Sequence, residues 1–141
     1  MLKIETAEAV RNLPRLIVQG AGRRPLGVMI ARGDLAVEIG FPRLSEIQEE
    51  ILWLCEAAHV PVIWATEVFA SLVADGRPSR AETTDAAMAQ RAECVMLNKG
   101  PHLAEAIAVM ADVLRRMDRH VAKKTARLSA LGSWPEEGLR L

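Results

Sequence analysis

The sequence predicts an α/β fold assembled from parallel β/α units. Three observations predict it. Short apolar runs begin at residues 1, 27, 61 and 94, which puts them 26, 34 and 33 residues apart, the spacing of strand–helix–strand crossovers. A helical pattern follows each run. The last three runs are apolar throughout rather than alternating, as expected of parallel strands covered on both faces.

The elements follow in order. Met1-Leu2-Lys3-Ile4-Glu5 reads as the first strand. The connection from Thr6 to Gln19 carries a weaker helical pattern, with a kink expected at Pro14. Gly27-Val28-Met29-Ile30-Ala31 is the second strand. Between Arg43 and His59 the residues Leu44, Ile47, Ile51, Leu54 and Ala58 recur at spacings of three and four, so they form one helical stripe. Ser45 with Gln48 fits a capping box at its start, while Pro42 fits an earlier first turn. Pro61 disfavours helix in the residue before it and opens the third strand, Pro61-Val62-Ile63-Trp64-Ala65-Thr66. A short helix is expected over Ala86 to Ala92 with Asp85 as N-cap. Cys94-Val95-Met96-Leu97 is the fourth strand. A long helix from Pro101 to Lys124 carries the stripe Leu103, Ile107, Met110, Leu114, Met117 and Val121, with basic residues toward its negative end. Residues 1–125 are thus read as the β/α part and 126–141 as an irregular C-terminal tail, in which Gly132, Pro135 and Gly138 fall.

Composition narrows the function classes. Half of the residues are hydrophobic, which excludes an intrinsically disordered chain. Eighteen basic residues balance eighteen acidic ones, which argues against nucleic acid as a partner. Cys55 and Cys94, each in an apolar stretch, are expected to be buried thiols rather than a disulfide framework. No secretory leader is visible, and no apolar run approaches the roughly 20 residues that span a bilayer. A cytoplasmic protein without a membrane partner is the expectation. At 141 residues the chain is too short for an eight-fold β/α barrel, which takes about 200 to 250.

Chemistry in parallel β/α folds collects where strands run out into loops. Those ends carry Glu5, then Arg32-Gly33-Asp34, then Thr66-Glu67, then Asn98-Lys99-Gly100. Glu5 and Asp34 on neighbouring strands would lie about 5 Å apart, a separation at which two carboxylates tend to hold a proton or a cation between them. Magnesium commonly takes one or two protein carboxylates and leaves its other positions to water and phosphate. Lys3 lies two residues before Glu5, so both point to one face. Either the three form a site, or Lys3 and Glu5 are solvated on an exposed edge strand. Glu38 is a further polar candidate or a partner for Arg32. The Arg77-Pro78-Ser79-Arg80 segment is either an anion-binding loop or a solvated turn. His59, His102 and His120 show no metal-ligand spacing and read as surface residues.

Taken together these strand ends resemble the pyruvate kinase family. Met29-Ile30-Ala31-Arg32-Gly33-Asp34-Leu35 with Glu38 is similar to its Met-Val-Ala-Arg-Gly-Asp-Leu-Gly-x-Glu signature, and Lys3-Ile4-Glu5 to its Lys-Ile-Glu strand. Pro61 to Thr66 resembles its Pro-Val-Ile-x-Ala-Thr strand. Arg77-Pro78-Ser79-Arg80-Ala81-Glu82 with Asp85 resembles its Arg-Pro-Thr-Arg-Ala-Glu-x-x-Asp loop, and Cys94 to Leu97 the strand before its Ser-Gly-Glu-Thr segment. The likeness is collinear from Lys3 to about Val121. It implies the last four units of a TIM barrel, a half-barrel, with the earlier units and the inserted lid outside this chain. It further implies a phosphotransferase that makes pyruvate and ATP from phosphoenolpyruvate and ADP. Glu5 and Asp34 would hold Mg2+ or Mn2+. Lys3 would be catalytic, countering charge on the phosphoryl group and the enolate. Gly33 and Asp34, with Arg32, would bind the substrate carboxylate. Thr66 would touch the substrate and assist the proton relay. The family also uses K+, whose ligands fall on strands this chain lacks. The departures are Glu67 where the family has glutamine, Ala36 where it has glycine, and Asn98-Lys99-Gly100-Pro101 in place of Ser-Gly-Glu-Thr. A half-barrel leaves two strand edges open, so association with a second copy or with a missing N-terminal half is expected. Two other functions fit the same residues: a metal-dependent lyase acting on an enolpyruvate or 2-oxo acid, and a non-catalytic interaction remnant.

Overall fold

The computed structural model describes residues 1–121. The expected irregular tail and the last residues of the expected long helix lie outside these. The chain falls into two compact units, with the boundary after Val62. Each unit holds a pair of parallel strands, and each strand is followed by helix, so the α/β reading of the sequence holds.

In the first unit β1 (Leu2–Ile4) pairs in parallel with β2 (Val28–Ala31), with Leu2 opposite Val28 and Ile4 opposite Ile30. α1 (Ala7–Ala21) connects them. The Thr6 hydroxyl accepts from the Ala9 N–H at 3.1 Å and starts this helix. Val10, Leu13 and Ile17, spaced three and four apart, are its buried residues. Pro14 falls inside α1, and the helix runs through it to Ala21 without ending. It sits half-buried beside the buried stripe, and its missing N–H removes one rung of the ladder.

β2 passes directly into α2 (Arg32–Ile39), a helix where the sequence reading placed a loop. Gly40, at φ 87°, breaks it from α3 (Phe41–Ala57). α3 therefore starts at Phe41 with Pro42 in its first turn, and the capping box at Ser45 does not form. The Ser45 hydroxyl instead donates to the Pro42 carbonyl at 2.9 Å. Ile47, Ile51, Leu52 and Cys55 face the core, with Ile4, Val28, Ile30 and Leu35. Beyond α3 the Val28 N–H donates to the Pro61 carbonyl at 2.9 Å.

In the second unit β3 (Val62–Val68) pairs in parallel with β4 (Cys94–Leu97). α4 (Ala70–Asp75), α5 (Arg80–Met88) and a single 3-10 turn (Ala89–Arg91) lie between them, and α6 (Leu103–Val121) follows β4. α4, α5 and the 3-10 turn all pack on α6. Trp64, Ala65, Val68, Phe69, Ala86, Ala89 and Ala106 are fully buried in this unit.

Three expectations are corrected here. The helix expected from Ala86 begins six residues earlier, at Arg80. Ser79, not Asp85, is its N-cap, and a full capping box joins Ser79 to Glu82. Thr83 and Thr84 stay helical because their hydroxyls donate back to the Ser79 and Arg80 carbonyls at 2.9 and 3.0 Å. Cys94 is exposed while Cys55 is buried. β4 as a whole is exposed or half-buried. No helix among the described residues is long and apolar enough to cross a membrane.

The connection after β4 is fixed by a close approach. A Cβ built on Gly100 would stand 2.5 Å from Val73 Cγ1 and 2.7 Å from the Val73 carbonyl oxygen. Gly100→Ala is therefore expected to destabilise the protein by about 1–3 kcal/mol, read as a lower urea midpoint at unchanged m-value.

Candidate functional site

Lys3, Glu5 and Asp34 meet in the first unit. The β pleat sends the Lys3 and Glu5 side chains to one face. The parallel pairing of β1 with β2 then brings the first turn of α2, which carries Asp34, beside them. The Lys3 ammonium donates to Glu5 Oε2 and, at 3.4 Å, to Asp34 Oδ2. The side chains of Lys3, Glu5 and Asp34 are 49%, 38% and 61% exposed, so these pairs are solvated and contribute little to stability. The two readings of Lys3 are thus compatible: it lies on an exposed edge strand and it also gathers two carboxylates. Its pKa is raised, chiefly by the hydrogen bond to Glu5; desolvation opposes this, and the hydrogen bond to Asp34 adds to the rise.

This donor set suits a divalent cation. Two carboxylates already converge on one positive charge, and both are open enough for water to fill the remaining positions. Among the described residues no group of three or more His, Cys, Asp and Glu side chains is gathered.

Arg32 and Gly33 open α2. Arg32 is drawn in to 7% exposure, whereas Asp34 two residues on is exposed. Gly33 and Asp34 lie in the first turn of a helix, where backbone N–H groups favour anions. Glu38 accepts from the Ala7 N–H at 3.4 Å, tying α2 to the start of α1.

Thr66 belongs to the second unit, and the structure adds a property the sequence did not signal. β3 does not stop at Thr66 but runs to Val68 through an irregularity. Trp64 faces Val95 and Val68 faces Leu97, so four steps along β3 match two along β4. Thr66 (φ 64°) and Glu67 (φ 58°) sit within that bulge in the left-handed region, and Phe69 (φ 50°) follows. For a β-branched residue this conformation is a real outlier, costing on the order of 1–3 kcal/mol. Val68 and Phe69 are both fully buried and anchor the far side.

A second functional-looking group is Glu82, which sequence reasoning used only as a motif letter. Its Oε1 accepts from the Ser71 N–H at 2.6 Å and its Oε2 from the Ser79 N–H at 2.9 Å. Burial pushes its pKa up, but the Ser79 and Ser71 N–H groups hold it below the ordinary glutamate value. Arg77, Arg80, Asn98 and Lys99 are exposed. The His102 ring lies against Gly76 and pairs with Glu105 at 3.0 Å, so it is engaged locally.

Two outcomes follow from this geometry. The Lys3 amine is expected to titrate above an ordinary lysine by NMR, and to return toward it in Glu5→Gln. Since a raised folded-state pKa favours the protonated form, the stabilisation is present below the ordinary lysine value and lost as pH rises through the raised one. Thr66→Gly is expected to raise stability by about 1 kcal/mol in urea melts. The relief of left-handed strain exceeds the roughly 0.5–1 kcal/mol of added chain entropy.

Comparison with known proteins closes the question of kinship. The family model described as "Pyruvate kinase, barrel domain" matches residues 1–105. Pyruvate kinase of Debaryomyces hansenii is 38% identical over 114 residues, covering 77% of this chain and 22% of that protein. The plastidial pyruvate kinase 3 of Arabidopsis thaliana is 35% identical over 132 residues, covering 89% of this chain and 22% of its own length. A crystal structure of a pyruvate kinase from Cryptosporidium parvum superposes with TM-score 0.74 at 33% identity, covering 83% of this chain and 24% of that one. The chain therefore spans about a quarter of the length of the relatives it matches. By family model, by sequence and by structure alike, it belongs to the pyruvate kinase family.

Proposed function

We infer that the chain carries the metal and enolate side of a phosphotransfer site that converts phosphoenolpyruvate and ADP into pyruvate and ATP. The observation that carries this reading is the convergence of Glu5 and Asp34 on the Lys3 ammonium. Phosphoryl transfer asks a protein mainly to position its reactants and to counter negative charge. Lys3 balances charge on the transferring phosphoryl group and on the enolate that it leaves behind. The first-turn N–H groups of Gly33 and Asp34, backed by Arg32, orient the substrate carboxylate. Thr66 delivers or relays the proton that turns the enolate into pyruvate, and its strained backbone fixes where the hydroxyl sits. Glu5 and Asp34 would hold Mg2+ or Mn2+, which supplies Lewis-acid charge against the enolate oxygen and the phosphoryl group. The K+ used by the family would be held by residues outside this chain.

The same reading gives partners and place. Strand β4, half-buried beyond Cys94 and beside Ile107 at 54% exposure, borders a groove of about 300 Å3 lined by Val95, Leu97, Ile107, Met110 and Leu114. A second copy or a polypeptide carrying the earlier units would cover it and complete the site. The exposed thiol of Cys94 suits a reducing compartment such as the cytoplasm. The comparisons do not favour the lyase or the interaction remnant.

Calorimetry with Mn2+ alone, and Mn2+-dependent deuterium exchange into the methyl group of pyruvate, test the reading. Binding is expected, with Glu5→Ala and Asp34→Ala each weakening it at least about tenfold, and exchange is expected to vanish in Lys3→Met. Absence of Mn2+ binding, with both alanine variants indistinguishable from the parent, would leave the interaction remnant as the surviving function.

A further inference from the structure

The segment that places Thr66 begins and ends in tension. Thr66, Glu67 and Phe69 all hold positive φ within four residues, and none of them is glycine. Such a backbone persists only where its surroundings over-determine it. On the upstream side Trp64 and Ala65 are fully buried, and Trp64 is in register with Val95. Downstream, Val68 pairs with Leu97, and the chain enters α4 at Ala70.

α4 has no cap of its own. Its N-cap position is Phe69, whose side chain has no oxygen and whose backbone is left-handed. A helix of six residues with open N–H groups is a poor anchor for a strained turn. The missing acceptor comes from elsewhere in the sequence. Glu82, eleven residues beyond Ser71, reaches back from the first turn of α5, and its Oε1 takes the Ser71 N–H at 2.6 Å. Its other oxygen takes the Ser79 N–H at 2.9 Å, while Ser79 Oγ accepts from the Glu82 N–H at 3.1 Å. One carboxylate thus joins the starts of two helices. The capping box holds Glu82 still, and Glu82 holds the start of α4.

We propose that Glu82 is a positioning residue: by capping α4 at Ser71 it fixes the downstream end of the bulge and so holds Thr66 in the left-handed conformation that aims its hydroxyl. Glu82 touches no reacting atom and acts through Ser71, Phe69 and the bulge. A merely structural role at the start of α5 would belong equally to Ser79, which shares the capping box. The Ser71 bond is what sets Glu82 apart.

The test uses the full chain, isotopically labelled, with Glu82→Ala, Glu82→Gln and Ser79→Ala. In Glu82→Ala the Ser71 amide is expected to exchange with solvent at least about tenfold faster, as for one lost net hydrogen bond. The Thr66 and Glu67 backbone shifts are expected to leave the left-handed range, while the Trp64 and Val95 amides keep their protection. Glu82→Gln retains one carbonyl oxygen and should fall between parent and Glu82→Ala. Ser79→Ala should lower the melting temperature yet leave the Thr66 and Glu67 shifts in place. If Glu82→Ala does not fold, the contrast between Glu82→Gln and Ser79→Ala decides. Left-handed shifts that persist at Thr66 and Glu67 with Glu82 replaced would overturn the proposal, as would equal displacement by Ser79→Ala. The chemical importance of Thr66 rests on the proposed function, but exchange and shifts report the backbone, so a chain that turns over no substrate leaves this test intact.

Discussion

Parallel strands can be joined only by a crossover, and most of what this chain does with its polar residues depends on that constraint. A crossover returns the chain to the start of the next strand, so partners in a parallel pair deliver their last residues to one end. β1 and β2 thereby bring Glu5 and Asp34, 29 positions apart in sequence, within reach of a single ammonium group. No local motif could do this. The apolar interiors of the strands pay for the assembly, and the charged residues are confined to where the strands stop.

The two units solve the strand-end problem differently. In the first, β2 ends and α2 begins with no intervening residue, so Gly33 and Asp34 inherit the anion-favouring start of a helix. In the second, β3 is prolonged through a bulge, and Thr66 and Glu67 are thrown into an uncommon backbone region. One arrangement offers backbone N–H groups. The other offers a side chain whose direction is set by strain.

Much of this was legible in the residues and some was not. The strands could be read to within two residues, since buried parallel strands are continuous apolar runs bounded by glycine, proline and charge. The Lys3–Glu5 pairing followed from the two-residue period of a strand. α2 was missed because Arg-Gly-Asp carries two poor helix formers and looks like a turn, yet Leu35 and Ala36 bury themselves and pull the segment into a helix. α4 was missed because a six-residue helix capped from eleven residues away leaves no local signature. α5 is a different case. Ser79-Arg80-Ala81-Glu82 is a capping-box pattern in plain view, and the low helix propensity of Thr83 and Thr84 after it is offset by their hydroxyl bonds to the preceding turn. The left-handed backbone of Thr66 had no signal, because position-by-position propensity assigns threonine to extended strand.

The reach of Glu82 back to Ser71 also bears on how this protein can vary. The stretch from Gly76 to Ser79 is short and almost wholly exposed, the kind of surface turn that ordinarily accepts extra residues at small cost. Here its length sets the distance between a carboxylate and the helix it caps. An insertion there would alter no buried contact and still disengage the strand end some ten residues upstream. The exposed stretch around Arg23 and Arg24 is held instead by its own backbone, both N–H groups donating to the Gly20 carbonyl. Two loops of similar appearance therefore differ in evolvability, and length polymorphism would be tolerated in the second and purged from the first.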